Sequence, residues 1–373
     1  MQGADDEVER LAGSGGGWEL GPFTRLPGAV VSPTSGLDWA AKDVFNPGAV
    51  VRDGRVWLLV RGEDRAGRYA GTSRLGLAVS DDGAFFTVEP EPVLGPGDDR
   101  WDAWEGAGGC EDPRVVESPD GGYACLYTGF DGKAGTLMAA TSDDLRTWAK
   151  QGPAFAGTPS ARRSSKSGAV VTEVRDGRLV AARIDGRFWM YWGEGTCWAA
   201  TSDDLVRWAP VEFDATGDRY LTYAPSPLAG RGPWDVHRVP GLSVLRPLFA
   251  ARRGRFDSLL VEPGPPAVLT DRGIVLVYNG ANHWEGGDRS SPPLAYQPGQ
   301  VLLDPLDPTA VLARSTEPFL RVGAADAEGQ VGNVCFAQGL VLFRGEWRLY
   351  LGLADSRIGC AVAPGPGGGR SST

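Results

Sequence analysis

A Ser-Asp-Asp turn recurs three times in this chain at nearly constant spacing. The turns lie in "LAVSDDGAFFTV" from Leu77, "AATSDDLRTWAK" from Ala139 and "AATSDDLVRWAP" from Ala199, and successive serines stand 62 and 60 residues apart. In each copy an alternating, strand-like run precedes the turn, and an aromatic residue follows it. A repeat of this length indicates a chain built from copies of one supersecondary unit.

Each repeat also has an earlier half, in which a glycine-containing turn leads into an apolar, aromatic strand. The stretches are "DGRVWLLVRGEDR", "DGGYACLYTGFDG", "DGRFWMYWGEG", "DRGIVLVYNGAN" and "RGEWRLYLGLADS". Asp-Gly turns between alternating runs are hairpin signals. One more strand precedes each of them, in "FNPGAVVR", "CEDPRVVES", "SKSGAVVTE", "VEPGPPAVLT" and "GNVCFAQGLVLF".

The sequence therefore predicts an all-β fold, a five-bladed β-propeller of four-stranded antiparallel blades. Two β-sandwiches are the alternative, but the phase of the repeat does not restart midway. The propeller is expected to occupy residues 23–364 as one catalytic domain, with an insertion rich in Pro, Gly and Arg at about 210–255. Residues 1–22 are expected to be a flexible arm and 365–373 a disordered tail.

Composition narrows the classes of partner. The net charge of −10 argues against nucleic acid and anionic membranes, which attract basic surfaces. Five widely spaced cysteines without a CxxC motif indicate free, buried thiols. Two distant histidines make a zinc site improbable, so we expect no metal and no cofactor. The N-terminus lacks the apolar segment of a signal peptide and no membrane-spanning run is visible, so a cytoplasmic location is expected.

In a propeller the first strand of each blade lines the central channel, so the polar residues that open these strands should converge. These residues are Asn46, Glu111, Asp112, Lys166, Glu262 and Asn333, and the ends of the second strands add Arg61, Glu63, Asp64, Asp131, Glu194, Asn279 and Asp355. Carboxylates, cations and amides in one pocket suit a polyhydroxylated ligand. Four aromatic residues are candidates for the apolar faces that sugar rings need: Trp104, Tyr191, Trp192 and Trp284.

Several of these residues also have a purely structural interpretation. Glu63 and Asp64 would equally serve as hairpin caps paired with a nearby arginine. Lys166 would be an ordinary surface lysine, and Asp355 a turn residue. The Ser-Asp-Asp turns are interpreted as structural, because they recur in several blades whereas an active site needs single, asymmetric residues.

A series of longer stretches resembles one known family. They are "DVFNPGAVV", "VRGEDRAG", "TSRLGLAVSDDG", "GGCEDPRVV", "LMAATSDDLRTWAKQGPAF", "KSGAVV", "MYWGEG", "FDSLLVEPGPPAVLTDRGIVLVYNG", "GQVLLDPLDPTAVLAR" and "LGLADSRIG", in this order from about Asp43 to Ala363. The chain resembles glycoside hydrolase family 130, five-bladed propellers that act on β-mannosides and include both phosphorylases and hydrolases.

The resemblance implies roles for individual residues. The aspartate of the "EDPR" motif, Asp112 here, is the proton donor of the family, and in the phosphorylases the proton is thought to pass through a sugar hydroxyl. The sugar-binding residues of the family fall on Asn46, Arg61, Asp64, Lys166 and Asp355. Arg74, Glu111 and Asn279 are further candidate contacts with the substrate.

The two branches of the family are distinguished by their phosphate ligands. The phosphorylases carry a Tyr-His-Gly motif whose histidine helps to bind phosphate, and this chain has Asn279 at that position, in "VYNGAN". Lys150 aligns weakly with a second basic position. The hydrolytic branch, described as β-1,2-mannosidases, carries "WGE" and "EPGPP", whose glutamates are Glu194 and Glu262 here and are proposed to activate water.

The first hypothesis is therefore an inverting β-mannosidase for β-1,2-linked mannose, with Asp112 as the acid. Its base is Glu262 or Glu194, roughly 6.5–9.5 Å from the acid in such enzymes. The sign of the Asp112 pKa shift stays open, because Glu111 would raise it and Arg114 would lower it. The alternatives are a phosphate-dependent mannoside phosphorylase and a non-catalytic sugar-binding propeller. In each case the partner is a mannose-containing oligosaccharide, and the oligomeric state is not indicated.

Overall fold

The computed structural model describes residues 17–65, 71–97, 100–106, 108–213 and 244–366. Within these ranges the chain consists mainly of strands and turns. Its helical pieces are one α-helical turn, Asp102–Glu105, and three 3-10 turns, Asp38–Ala40, Pro159–Arg162 and Ala324–Asp326. None of these described helices is long and apolar enough to cross a membrane. The prediction of an all-β fold is confirmed.

The strands, numbered in chain order, fall into groups of antiparallel neighbours. The first group is β2 (Asp43–Arg52), β3 (Arg55–Glu63), β4 (Arg74–Ser80) and β5 (Thr87–Leu94). The second is β6 (Gly109–Glu117), β7 (Tyr123–Phe130), β8 (Gly135–Ser142) and β9 (Ala149–Pro153). Both match the strand–hairpin–strand–turn–strand unit predicted from the repeat.

The third group contains more strands than predicted. It comprises β10 (Ala169–Arg175), β11 (Arg178–Ala181), β12 (Arg183–Ile184), β13 (Arg187–Trp192), β14 (Thr196–Ser202), β15 (Ala209–Pro210) and β18 (Pro247–Ala250). The additional hairpin arises because Asp176 and Gly177 both adopt positive φ, 50° and 74°, as a tight hairpin turn requires. β11 then pairs with β10 and, in parallel, with β6. A separate pair, β16 (Glu212–Phe213) and β17 (Val244–Leu245), lies within the predicted insertion.

The last two groups contain the C-terminal half of the chain. The fourth is β19 (Leu260–Pro263), β20 (Ala267–Thr270), β21 (Gly273–Ala281), β22 (Tyr296–Leu303) and β23 (Val311–Arg314). The fifth is β24 (Cys335–Phe343), β25 (Glu346–Leu353) and β26 (Arg357–Pro364), completed by β1 (Thr24–Arg25) from the other end of the chain. Thr24 pairs with Val362, so the start and the end of the described fold share one sheet.

Buried apolar clusters lie between successive groups. One joins Trp57 of the first group to Tyr127 of the second. Three more lie between the second and third, third and fourth, and fourth and fifth groups. A fifth cluster joins Leu58 of the first group to Tyr350 of the last. β2 accordingly packs against both β6 and β24, so each group has two neighbours.

The Ser-Asp-Asp turns are held by their own side chains. Each serine Oγ accepts the main-chain N–H three residues on, at 2.8–2.9 Å. The second aspartate accepts two further N–H groups of the same turn, as in Asp82 with Ala84 and Phe85. These local bonds fix the turn between the third and fourth strands, which explains their recurrence without a catalytic role.

Parts of the predicted domain organisation fall outside the described residues. They are residues 1–16 of the predicted arm, 367–373 of the predicted tail and 214–243 of the insertion. The domain limits therefore remain predictions.

Candidate functional site

Two β-bulges turn Asn46 and Asp112 away from the regular pleat of their strands. Each residue precedes a proline, and the register shifts between Phe45 and Gly48 in β2 and between Glu111 and Arg114 in β6. The φ angles are 45° at Asn46 and 50° at Asp112, in the left-handed region that Asn and Asp tolerate better than most residues. Bulges commonly re-aim side chains at functional sites, and both residues line the same cavity.

The cavity has a volume of about 340 Å³, within the range of small-molecule sites. Its wall draws residues from all five strand groups. The lining residues are Phe45, Asn46, Arg61, Asp112, Lys166, Glu194, Glu262, Tyr296, Gln330, Val331, Val334, Phe336 and Asp355. Seven of the predicted site residues are thus brought together. The two most distant of them in the sequence, Asn46 and Asp355, are 309 positions apart.

Arg61 organises one side of this wall. Its guanidinium donates to Asp112 Oδ1 at 3.1 Å, to Glu111 Oε1 at 2.9 Å and to Glu63 Oε1 at 3.1 Å. Its Nε donates to Ser73 Oγ at 3.0 Å, and the group lies 4.5 Å from the Phe45 ring centroid. Glu63, which the sequence left between cap and site, is therefore a buried anchor for Arg61.

The charges around Asp112 decide the direction of its pKa shift. Burial alone would raise the pKa of this carboxyl, but the positive charges of Arg61, Lys166 and Arg114 outweigh burial and lower it. Asn46 Nδ2 also donates to Asp112 Oδ1, at 3.0 Å, and favours the ionised form. The free protein therefore holds Asp112 as a carboxylate.

Glu262 has the opposite tendency. Burial raises its pKa to about 7, against the opposing charges of Lys166 and Arg114. The Ser167 hydroxyl donates a hydrogen bond to Glu262 Oε1 and fixes that carboxyl in the wall. Sequence reasoning missed Ser167, although its place directly after Lys166 in "KSGAVV" was the available signal.

Lys166 lies between two candidate bases. Its Nζ is 3.6 Å from Glu194 Oε1, and its charge acts on Glu262 as well. The Glu194 side chain is 43% exposed, whereas Glu262 is buried. Asp355, with φ of 48° at the end of β25, completes this wall. Burial and the nearby charge of Asp112 raise the pKa of Asp355 to about 7.

Three predicted substrate contacts are not among the described residues that line the cavity. Glu111 is buried against Arg61, and burial together with the Asp112 charge raises its pKa to about 7 in spite of Arg61. Asp64 accepts the N–H of Gly71. Arg74 donates to the Pro96 carbonyl at 3.1 Å. The described cavity lining includes none of the three.

Asn279 does not occupy the predicted contact position. Its Nδ2 donates to the Ala337 carbonyl at 3.0 Å, and its Oδ1 accepts the Ala337 N–H at 2.8 Å. The side chain is fully buried and joins β21 to β24, so its amide is directed to main chain instead of ligand. Lys150 is likewise engaged elsewhere, because its Nζ lies 2.6 Å from Glu105 Oε2.

Two of the predicted aromatic faces are core residues. Tyr191 and Trp192 are buried on opposite sides of β13, in the apolar clusters on either side of the third group. Trp104 is half-buried, and Trp284 is exposed. The aromatic residues that do line the cavity, which sequence reasoning missed, are Phe45, Tyr296 and Phe336. Phe45 was detectable as the neighbour of Asn46.

Two other predicted polar residues and the cysteines have local roles. Asp131 accepts the N–H groups of Lys133 and Ala134 in an exposed turn. Asn333 adopts φ of 61° and its carbonyl accepts the Tyr296 N–H. All five cysteines are free and buried. The part of the chain that the structure describes contains no group of three His, Cys, Asp or Glu side chains able to hold a metal ion.

Comparison with known proteins relates this cavity to one family. The sequence profile of glycoside hydrolase family 130, described as beta-1,4-mannooligosaccharide phosphorylase, matches residues 29–227, more than half of the chain. The chain belongs to glycoside hydrolase family 130. A curated family 130 relative, the 1,2-beta-oligomannan phosphorylase of Thermoanaerobacter sp. (strain X514), is 29% identical over 89% of this chain and 94% of its own length.

Some solved structures have higher identities to this chain. A glycosyl hydrolase from Bacteroides ovatus is 37% identical, with a TM-score of 0.81, over 92% of this chain and 94% of its own. Another, reported with the finding that this family of mannoside phosphorylases contains glycoside hydrolases that target beta-1,2 mannosidic linkages in Candida mannan, is 37% identical with a TM-score of 0.82. That match covers 94% of this chain and 98% of the other.

Proposed function

We propose that this chain is an inverting β-mannosidase that hydrolyses β-1,2-linked mannosides. The charge of the cavity wall carries the proposal. Four carboxylates line the cavity: Asp112, Glu194, Glu262 and Asp355. Among the described lining residues the cations are Arg61 and Lys166, and both already lie beside carboxylates.

A phosphorylase must hold a phosphate anion beside the anomeric carbon, which requires cationic donors directed at it. At the two positions where the resemblance places basic phosphate ligands, Asn279 is bonded to main chain and Lys150 to Glu105. A wall rich in carboxylates disfavours an anion and suits the activation of a neutral water molecule.

One solved relative supports the same choice. The structure associated with hydrolysis of beta-1,2 mannosidic linkages is 37% identical to this chain, whereas the 1,2-beta-oligomannan phosphorylase is 29% identical. The names of both relatives include the 1,2 linkage, which is the linkage we propose for the substrate of this chain.

In the proposed reaction Glu262 takes a proton from water as the water oxygen attacks the anomeric carbon. Asp112 gives a proton to the departing glycosidic oxygen, so the products are an α-configured mannose and a shortened mannoside. Ser167 orients Glu262, and the Lys166 charge stabilises its ionised form. Glu194, more exposed and beside Lys166, is placed to bind a sugar hydroxyl.

We further propose that the five strand groups close into a five-bladed β-propeller with the cavity at its axis. Three observations support closure. β1 completes the sheet of the last group, β2 packs against both the second and the fifth group, and a buried cluster lies between each pair of successive groups. A crystal structure that showed two separate sandwiches would contradict this architecture.

A phosphorylase is the second candidate, favoured by the names of the curated relatives at 29% and 26% identity. Product analysis on β-1,2-mannobiose with and without phosphate separates the two. Hydrolysis predicts mannose at the same rate in both buffers, and Asp112→Asn serves as the inactive control. Mannose 1-phosphate formed only with phosphate would contradict the hydrolase. Binding without turnover in either buffer would indicate a non-catalytic sugar-binding protein.

A further inference from the structure

The loop between β21 and β22, residues 282–295, begins and ends beside the cavity. Ala281, the last residue of β21, pairs with Tyr296, the first residue of β22. The Tyr296 side chain lines the cavity, and Glu262 lies in β19, which pairs with the same end of β21. The loop therefore projects from the rim of the candidate active site.

Its conformation is fixed by a buried asparagine. Asn282 Nδ2 donates to the carbonyls of Asp288, Ser291 and Pro292 at 3.0–3.1 Å. Its Oδ1 accepts the Asp288 N–H at 2.8 Å. The His283 N–H donates to Ser258 Oγ at 2.9 Å, which ties the loop to the segment preceding β19. A ligand that binds this loop therefore meets a preformed surface and incurs little ordering cost.

Trp284 stands on this loop with one ring face supported. Its ring centroid lies 4.1 Å from that of His283, with 25° between the planes. The imidazole is held in turn, because His283 Nδ1 accepts the N–H groups of Glu285 and Gly286 at 3.1 and 3.3 Å. Trp284 is nevertheless 54% exposed, so more than half of its surface is accessible to a ligand.

We propose that Trp284 forms an outer sugar subsite, which binds a pyranose ring of a mannoside longer than the disaccharide. The inference rests on the substrate class proposed above. The negative face of an aromatic ring attracts the weakly positive C–H groups on the apolar face of a sugar. Trp284 lies three residues after Ala281, whose strand partner Tyr296 lines the cavity, so a mannoside that extends past this edge of the cavity would reach the platform. The aromatic contact is neutral, which matches an uncharged sugar.

The test measures binding, so it does not depend on which nucleophile the enzyme uses. In a full-length Asp112→Asn background, calorimetry compares β-1,2-mannobiose with β-1,2-mannotetraose. The subsite predicts that the tetraose binds more tightly and that Trp284→Ala reduces this advantage roughly 3- to 10-fold, as loss of one aromatic contact implies. Affinity for the disaccharide should stay unchanged, and Trp284→Tyr should retain most of the advantage.

Phe85→Ala is the matched control, because Phe85 is an aromatic residue in a Ser-Asp-Asp turn and is more exposed than Trp284. This substitution should change the affinity for neither ligand. A tetraose that binds no better than the disaccharide would overturn the subsite, as would equal weakening of both ligands by Trp284→Ala. Failure of either ligand to bind the parent background would overturn the proposed substrate class, and the subsite with it.

Discussion

At the scale of single residues, the pKa values of Asp112 and Glu262 are opposite to their proposed roles. The proposed acid has the lower pKa and the proposed base has the higher one. Arg61, Lys166 and Arg114 lower the pKa of Asp112, whereas burial raises that of Glu262 to about 7. The productive state, with Asp112 protonated and Glu262 ionised, is therefore a minor tautomer of the one-proton state. Activity should still follow the population of that state, between the two pKa values.

The pH profile of kcat/KM should accordingly fall above about pH 7, where the pair loses its last proton. Lys166→Met should lower activity and move this basic limb to higher pH, because the ammonium normally lowers the pKa of both carboxyls. Measurement of pH–rate profiles for both proteins checks the prediction. A basic limb that stayed in place or moved to lower pH in the variant would show that Glu262 does not control it.

Substitutions of the carboxylates should identify the base. Asp112→Asn and Glu262→Gln should each lower kcat by about 10²–10⁴-fold, the range for loss of a general acid or base. Glu194→Gln should act mainly on KM, because the proposed reaction uses this 43% exposed side chain to bind a sugar hydroxyl. Steady-state kinetics with matched thermal unfolding curves provide the check. The reverse pattern, with kcat lost at Glu194 and kept at Glu262, would exchange their roles.

At the scale of elements, Arg114 links the second and fourth strand groups by buried hydrogen bonds. It is fully buried in β6, and donates to the carbonyls of Pro263 at 2.7 Å and Gly264 at 2.8 Å, where β19 gives way to β20. It also donates to the Asp112 carbonyl at 3.1 Å, so the bulge that carries Asp112 and the turn that follows Glu262 share one anchor.

Arg114→Met should therefore destabilise the protein by about 3 kcal/mol, because buried carbonyls lose their donors. Denaturant unfolding measures the loss. Arg55→Met is the control: Arg55 pairs with Asp81 at an exposed site, where an ion pair contributes about 1 kcal/mol or less. Equal destabilisation by the two substitutions would show that the hydrogen bonds of Arg114 do not stabilise the contact between the strand groups.

Some of these elements and contacts were predictable from the sequence, and others were not. Hairpins and Ser-Asp-Asp turns were predictable because their chemistry is local, and the repeated register brought Asn46, Asp112 and Glu262 to one wall. Asn279 occupied a similar place in the pattern, but its side-chain amide donates a hydrogen bond to the main chain of another strand group. Contacts between groups, such as those of Arg114 and Arg61, are set by packing that no local motif encodes.

At the scale of the whole molecule, the site lowers stability as it ionises. Glu111, Glu262 and Asp355 have pKa values raised to about 7 in the folded protein, above those of the unfolded chain. Between about pH 4.5 and 7 these three groups therefore bind more protons in the folded state than in the unfolded state. Their contribution to the free energy of unfolding falls as pH rises through that window, by up to about 1.4 kcal/mol per pH unit for each proton.

Thermal unfolding between pH 5 and 7.5 measures this effect, and Tm should decrease with rising pH. The triple variant Glu111→Gln, Glu262→Gln, Asp355→Asn should show a flatter dependence, because it lacks the groups that titrate there. A Tm that rises over the same interval would contradict the raised pKa values of these three buried carboxyls.

We propose that this protein cleaves a β-mannoside with water and inverts the anomeric carbon. Proton NMR of the cleavage of the methyl α-glycoside of β-1,2-mannobiose, in phosphate-free buffer and before mutarotation, is the sharpest test, because free mannose can then come only from the non-reducing residue. We expect α-mannose to appear first, with Asp112→Asn inactive under the same conditions. First appearance of β-mannose, or no cleavage until phosphate is added, would contradict it.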